Sequence, residues 1–123
     1  MAYLLDTNLL IYSADATHAF LRTLVQDPQN FISLISKVET QGYHRLDPID
    51  ANYFHSLFAL ATLLPVTASI VEEAIRLRQQ RRMTLGDSLI AATAIEFGLT
   101  LATRNVSDFA WIPGLTVYNP FAP

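Results

Sequence analysis

Short apolar runs alternate with longer segments of helical periodicity along most of this chain, and this alternation restricts its fold more than any other feature. Such runs begin near Tyr3, Phe31 and Thr100, and apolar residues recur at helical spacing between them. This alternation is typical of βαβ units, in which a helix connects two parallel strands. Because the strands are too short and too apolar to face water, we expect an α/β fold with a parallel sheet covered by helices on both faces.

Turn and capping residues predict where these elements begin and end. Asp47 and Pro48 are suited to the start of a helix, and Gly98 to the end of one. We expect strands near residues 2–6, 31–34, 65–67, 100–103 and 116–118. We expect helices near residues 8–13, 17–25, 35–42, 47–64, 69–82 and 87–97.

The composition is that of a folded protein, and we expect one domain over residues 1–123. Hydrophobic residues make up 51% of the chain and charged residues 15%, so it can bury a core. No apolar run approaches the length of a membrane span. Without cysteine the chain can form neither disulfides nor thiolate metal sites, which fits a reducing compartment. We therefore expect a cytoplasmic protein that does not enter a membrane.

Four carboxylates, far apart in the sequence, lie where a parallel sheet places its binding site. Asp6 and Glu39 follow the first two predicted strands. Asp87 opens a predicted helix, and Asp108 comes just after the fourth strand. In open parallel sheets, ligands bind at the carboxyl ends of the strands. Four acids gathered there would repel one another unless protonated or bridged by a cation, so the pattern predicts a divalent-metal site suited to phosphate chemistry.

Each acid also has a purely structural interpretation. Asp6 could cap the helix that follows it, and Asp87 could stabilise the first turn of its own helix. Glu39, taken alone, favours a capping box with Ser36. Asp108 fits ordinary turn chemistry. These explanations remain open residue by residue, but none accounts for the common position of all four acids.

Neutral oxygen donors accompany the acids. Asn8, Thr103 and Asn105 are expected at the same edge of the sheet as supporting polar groups. An all-oxygen set favours Mg²⁺ or Mn²⁺ over Zn²⁺. The three histidines match no ligand spacing and are expected at the surface or the edge of the core: His18, His44 and His55.

Arginines cluster beside these acids although the formal net charge is −3, which by itself argues against a nucleic-acid partner. Five of them lie just before Asp87 or between the fourth strand and Asp108: Arg76, Arg78, Arg81, Arg82 and Arg104. They could contact RNA phosphates around the acidic site. They could equally be the solvated end of a helix, which favours cations.

The order and spacing of four motifs resemble the PIN-domain ribonucleases, and among them the toxins of bacterial and archaeal VapBC toxin–antitoxin pairs. The resemblance covers nearly the whole chain. Its motifs are Leu5-Asp6-Thr7-Asn8, Ile35-Ser36-Lys37-Val38-Glu39, the segment 85–94 that contains Gly86-Asp87-Ser88, and the segment 101–109 that contains Thr103-Arg104-Asn105 and Asp108.

The resemblance implies a three-layer sandwich with a parallel sheet in the order 3-2-1-4-5. It implies that Asp6, Glu39, Asp87 and Asp108 bind Mg²⁺ or Mn²⁺ and catalyse endonucleolytic cleavage of RNA. It also implies a toxin that forms a homodimer and is inhibited by a cognate antitoxin whose tail enters the acidic groove. The alternative is a PIN-like module that binds RNA or a partner without catalysis.

A receiver domain or phosphoryl-accepting hydrolase also gathers acids at a sheet edge, but it resembles this chain less. Asp6-Thr7-Asn8 lacks a second acid two residues after the first. No lysine stands at the end of a predicted strand, as such enzymes require, and the only lysine in the chain is Lys37.

Overall fold

A computed structural model describes residues 2–122. Its five strands are β1 (Tyr3–Leu5), β2 (Phe31–Ser33), β3 (Thr62–Leu64), β4 (Thr100–Ala102) and β5 (Val117–Tyr118). Its α-helices are α1 (Thr7–Ala14), α2 (Arg22–Val25), α3 (Leu34–Gln41), α4 (Pro48–Leu60), α5 (Ala68–Gln80), α6 (Leu85–Phe97) and α7 (Val106–Phe109). A 3₁₀ helix, Ala16–Leu21, precedes α2.

The strands form one parallel sheet in the order β3-β2-β1-β4-β5, which confirms the expected fold. The first strand is central, since Leu4 pairs with Phe31 on one side and with Leu101 on the other. Successive segments of the chain therefore extend the sheet in both directions from β1. The carboxyl ends of β1, β2 and β4 consequently lie side by side.

Alternate strand residues point to opposite faces of the sheet and build two separate cores. On β1, Leu4 packs in a core with residues of α5, α6 and α7, whereas Leu5 packs in a core with residues of α1, α2 and α4. On β4, Leu101 lies in the same core as Leu4, and Ala102 lies in the same core as Leu5. Helices thus cover both faces, as the apolar strands require.

The third strand lies at Thr62–Leu64, so the expectation of a strand at residues 65–67 was wrong. Leu63 and Leu64 continue the apolar spacing of α4, and the sequence pattern therefore assigned them to that helix. The helix instead ends at Leu60, and Ala61 is extended. Pro65 has no N–H group to donate, which suits the end of a strand rather than its middle.

Two other elements differ from expectation. The predicted helix at 17–25 is a 3₁₀ helix followed by α2, with non-helical dihedral angles at His18. Asp108 lies in the short helix α7 rather than in a loop. Within residues 2–122, no helix is long and apolar enough to cross a membrane.

Candidate active site

Asp6 is buried at the carboxyl end of β1, with 2% of its surface exposed. It occupies the N-cap position of α1, but its side chain makes no capping hydrogen bond. Instead, the Thr103 hydroxyl donates to Asp6 Oδ2 at 2.7 Å. The capping interpretation is therefore wrong, since this carboxylate is held by the residue that follows the neighbouring strand.

Burial raises the pKa of Asp6 to about 6, because a charged carboxylate loses hydration in this position. The hydrogen bond from Thr103 opposes this effect by stabilising the charged form. The nearby charge of Asp87, and more weakly that of Glu39, raises the pKa further. A carboxylate in this environment is stabilised by any cation that approaches it.

Glu39 reaches toward the same edge from α3. Its Oε1 accepts a hydrogen bond of 2.6 Å from the Thr7 hydroxyl, which also lies 2.8 Å from the Ser36 hydroxyl. The capping box is wrong, because α3 begins earlier and is capped by the Ser33 side chain. Ser36 is buried inside the helix and supports Thr7 instead.

Gly86 permits α6 to approach the carboxylate of Glu39. A Cβ atom added at Gly86 would overlap Glu39 Oε2 and lie 3.2 Å from its Cδ atom. The absence of a side chain at this position therefore leaves room for a carboxylate against the first turn of α6.

Asp87 is half-buried in that first turn. Its backbone N–H donates to the Thr84 side chain, which caps α6. Burial raises its pKa, the charge of Asp108 raises it further, the hydrogen bond with Thr84 lowers it, and the charge of Glu39 adds a smaller increase. Asp108 itself is exposed on α7.

The four acids therefore form one electrostatically coupled cluster. Asp6 interacts with Asp87 and Glu39, and Asp87 interacts with Glu39 and Asp108. Among residues 2–122, however, no three acid side chains converge closely enough to enclose a metal ion as they are oriented. In donor chemistry the cluster fits a hard divalent cation, since all its ligand atoms are oxygens. Glu39 and Asp108 have exposed side chains that can rotate toward such an ion.

The expected neutral donors are placed unequally. The buried Thr103 hydroxyl donates to Asp6 and accepts from the backbone N–H of Asn105. Asn8 lies partly buried in the first turn of α1. Thr7 was not predicted as a site residue, although its position directly after Asp6 was a usable signal. Gly86 was not predicted as a spacing residue either, and for it the sequence offered no signal.

A groove of about 670 Å³ adjoins the acids. Its lining residues come from the ends of α5 and α7 and from the start of α6: Arg78, Arg81, Arg82, Met83, Thr84, Asp87, Ser107, Asp108 and Trp111. The guanidinium carbon of Arg81 lies 5.3 Å from the centre of the Trp111 ring. Basic and acidic side chains thus share one surface, which we call the arginine groove. A smaller apolar cavity, about 300 Å³, contains none of the four acids.

Two of the five arginines lie outside this groove. Arg76 forms an ion pair with Glu73, one turn earlier on α5. Arg104 packs instead on the rings of Phe121 and Tyr12. The structure therefore brings Arg78, Arg81 and Arg82 to the acids and gives the other two different surroundings.

The sequence and the fold match those of known proteins. The family model described as "PIN domain" matches residues 3–113. Ribonuclease VapC1 of Rickettsia felis is 44% identical over a segment that covers 53% of this chain and 50% of that protein, so the match spans about half the length of that relative.

Solved structures are similar over almost their whole length. A toxin–antitoxin complex from Klebsiella pneumoniae contains a chain with 32% identity and a TM-score of 0.74, covering 98% of this chain and 99% of the other. VapBC2 from Rickettsia felis, bound to a DNA fragment from its promoter, has 25% identity and a TM-score of 0.78, covering 97% and 98%. This chain belongs to the PIN-domain family.

Proposed function

We propose that this protein is a metal-dependent endoribonuclease that hydrolyses phosphodiester bonds in RNA and is the toxin of a type II toxin–antitoxin pair. The observation that carries the proposal is the coupled cluster of four acids beside the arginine groove. The similarity to a VapC ribonuclease and to a chain of a toxin–antitoxin complex supports it.

Asp6, Glu39, Asp87 and Asp108 would hold the metal, Mg²⁺ or Mn²⁺, because these ions prefer oxygen ligands. When bound, the ion supplies Lewis acidity that activates water and neutralises charge on the phosphoryl oxygens. Without it, the four carboxylates would repel an RNA phosphate.

The remaining residues position these acids and the substrate. Thr103 fixes one oxygen of Asp6 and leaves the other available, and Thr7 does the same for Glu39. The exposed arginines of the groove would hold phosphates next to the cleaved bond. Because they contact the backbone, they would confer affinity without base selectivity.

We further propose a cognate antitoxin and a second copy of this chain as protein partners. The antitoxin is supported by the similarity to chains found in toxin–antitoxin complexes. The homodimer rests on the family resemblance alone. The protein would act in the cytoplasm, where its RNA substrate is.

The test is cleavage of single-stranded RNA by the purified protein in Mg²⁺ or Mn²⁺, with excess chelator as the matched condition. We expect cleavage that stops with chelator and is restored by added metal. Calorimetric titration of Mn²⁺ into the wild type and into Asp87→Asn should show binding that the substitution weakens. Cleavage that persists in chelator would contradict the metal mechanism.

The alternative function, a module that binds RNA or a partner without catalysis, makes a different prediction. Such a protein need not bind Mn²⁺, and it would leave RNA intact in every buffer. The coupled acids weigh against it, because four neighbouring carboxylates serve no purpose in binding a polyanion.

A further inference from the structure

Arg104 does not line the arginine groove, and its guanidinium packs on two aromatic rings. Its guanidinium carbon is 4.2 Å from the centre of the Phe121 ring and 5.1 Å from that of Tyr12. Within residues 2–122 the single ion pair is that of Arg76, so no acid side chain pairs with Arg104. Stacking uses the faces of the guanidinium and leaves its in-plane N–H groups available to an anion.

Further rings extend this surface. Phe121 makes edge-to-face contacts with Tyr12, His18 and Phe20 at centroid distances of 5.5, 5.5 and 5.2 Å. We call these four residues the aromatic patch. Phe20 is 58% exposed although it is large and apolar. Its ring therefore presents an apolar face to solvent.

A groove of about 300 Å³ adjoins the patch at Phe20. Tyr118 and Pro120 line the same groove. Tyr118 is 40% exposed and stacks on Tyr3, with ring centres 4.9 Å apart and planes inclined by 22°. Two exposed aromatic rings thus line one groove, which suits a planar ligand.

The patch is directly connected to the acid cluster. Arg104 follows Thr103, whose hydroxyl donates to Asp6. Asp87 and Asp108, by contrast, line the arginine groove. The acid cluster is therefore linked to both surfaces, to Arg104 through Thr103 and to the arginine groove through Asp87 and Asp108. Phe121 and Tyr118 lie beyond residues 3–113, the part of the chain that matches the PIN domain, whereas Arg104 and the other rings of the patch lie within it.

We propose that Arg104 and the aromatic patch form a second RNA subsite for the single strand on the other side of the cleaved bond. Arg104 binds a phosphate, and an unpaired base stacks on Phe20 or Tyr118. The groove itself is lined by Asp27 and by no arginine, so the positive charge comes from Arg104 on the adjoining Phe121 ring. A cation beside exposed aromatic rings is the combination that binds single strands without sequence preference. A paired base cannot stack in this way, so the subsite selects single-stranded RNA. This inference rests on the proposed ribonuclease function.

The experiment measures binding of a fluorescein-labelled 12-nucleotide RNA by fluorescence anisotropy, in chelator so that the RNA stays intact. The same RNA annealed to its complement is the duplex control. The variants are Phe20→Ala, Arg104→Gln and Arg104→Lys. Their matched controls are Phe97→Ala, an aromatic residue 44% exposed at the end of α6, and Arg76→Gln. Thermal melting confirms that each variant is folded.

We expect Phe20→Ala to weaken binding of the single strand about tenfold, with an unchanged salt slope and unchanged duplex binding. Arg104→Gln should weaken binding and reduce the salt slope by about 0.7, the contribution of one phosphate contact. Arg104→Lys should restore that slope. Phe97→Ala and Arg76→Gln should bind as the wild type does.

Wild-type affinity in Phe20→Ala and Arg104→Gln, together with RNA cleavage by the wild type, would overturn the subsite and leave the proposed function intact. If these variants bind RNA normally but lose affinity for the purified antitoxin, the patch is a protein-binding surface and the proposal is wrong. A wild type that neither binds nor cleaves RNA would overturn both proposals.

Discussion

The acid cluster and the arginine groove are adjacent, but they are built in opposite ways. In the cluster, the Thr103 hydroxyl donates to Asp6 at 2.7 Å and the Thr7 hydroxyl donates to Glu39 at 2.6 Å. Both threonines are buried, and the Thr7 hydroxyl is also bonded to that of Ser36. In the groove, Arg81 and the other arginines are exposed at the end of α5. The difference fits a division of labour, in which the hydrogen-bonded acids would act on one bond and the exposed arginines would accept any RNA backbone.

The largest expected effect is the loss of RNA cleavage when an acid of the cluster is replaced. Asp6→Asn or Asp87→Asn should lower the rate of RNA cleavage by about 100-fold or more, because residues that act as a unit lose most of their activity at the first removal. The double variant should be little worse than either single one. Asp47→Asn, which alters a remote helix cap, is the control and should cleave normally. Activity retained in Asp6→Asn would exclude this carboxylate from catalysis.

The next prediction concerns stability without metal. Because the folded-state pKa of Asp6 is about 6, above the ordinary value of 3.8, the folded protein binds more protons than the unfolded chain between these values. The free energy of unfolding should therefore fall as pH rises from about 4 to about 7, by as much as about 3 kcal/mol from this residue. The raised pKa of Asp87 acts in the same direction.

Urea denaturation of the wild type and Asp6→Asn across this pH range, in chelator, isolates the effect. The difference in stability between the two proteins should favour the variant increasingly toward pH 7. A constant difference across the range would mean that Asp6 has an ordinary pKa and is not strained by burial.

A smaller effect is expected for the exposed arginines of the groove. Replacing Arg81 and Arg82 together with Gln should weaken RNA binding about tenfold and flatten its dependence on salt. Arg76→Gln removes the same charge from α5 outside the groove and should change neither quantity. If Arg76→Gln weakened RNA binding as much as the change at Arg81 and Arg82, binding would depend only on the overall charge of the protein, and the arginine groove would have no special role.

The smallest expected effect separates catalysis from stability. Gly86→Ala should displace the carboxylate of Glu39, since the added Cβ would overlap its oxygen. We expect cleavage several-fold slower, while stability changes by less than about 1 kcal/mol because alanine favours a helix. The test is to measure the melting temperature and the cleavage rate of one preparation. A large loss of stability would contradict the prediction, because it would mean that the Glu39 side chain cannot move away from the added Cβ atom.

Much of the fold could be predicted because the strands are short, apolar and separated by helices. Strands β1, β2 and β4 were located by this pattern. The third strand was misplaced, because Thr62–Leu64 have the helical spacing of α4 and only pairing with β2 distinguishes them. Local patterns cannot report such pairing.

The candidate site was predicted as a list of acids but not as an arrangement. The position of Asp6 at a strand end is visible in the sequence, whereas its hydrogen bond with Thr103 spans 97 residues. Ser36 and Glu39 have the spacing of a capping box, but the helix begins at Leu34. This local motif therefore led to a wrong prediction for Glu39. The different surroundings of Arg81 and Arg104 depend on tertiary contacts that no run of charge reveals.

The central place of β1 has a consequence for synthesis on the ribosome. This strand is synthesised well before its partner β4, which begins at Thr100. Until that segment emerges, Asp6 lacks its hydroxyl donor, and Asp108 has not been added to the acids. A growing chain therefore carries three of the four carboxylates without an assembled site. The proposed nuclease would become active only after the segment from Thr100 to Asp108 has left the ribosome and β4 has paired with β1.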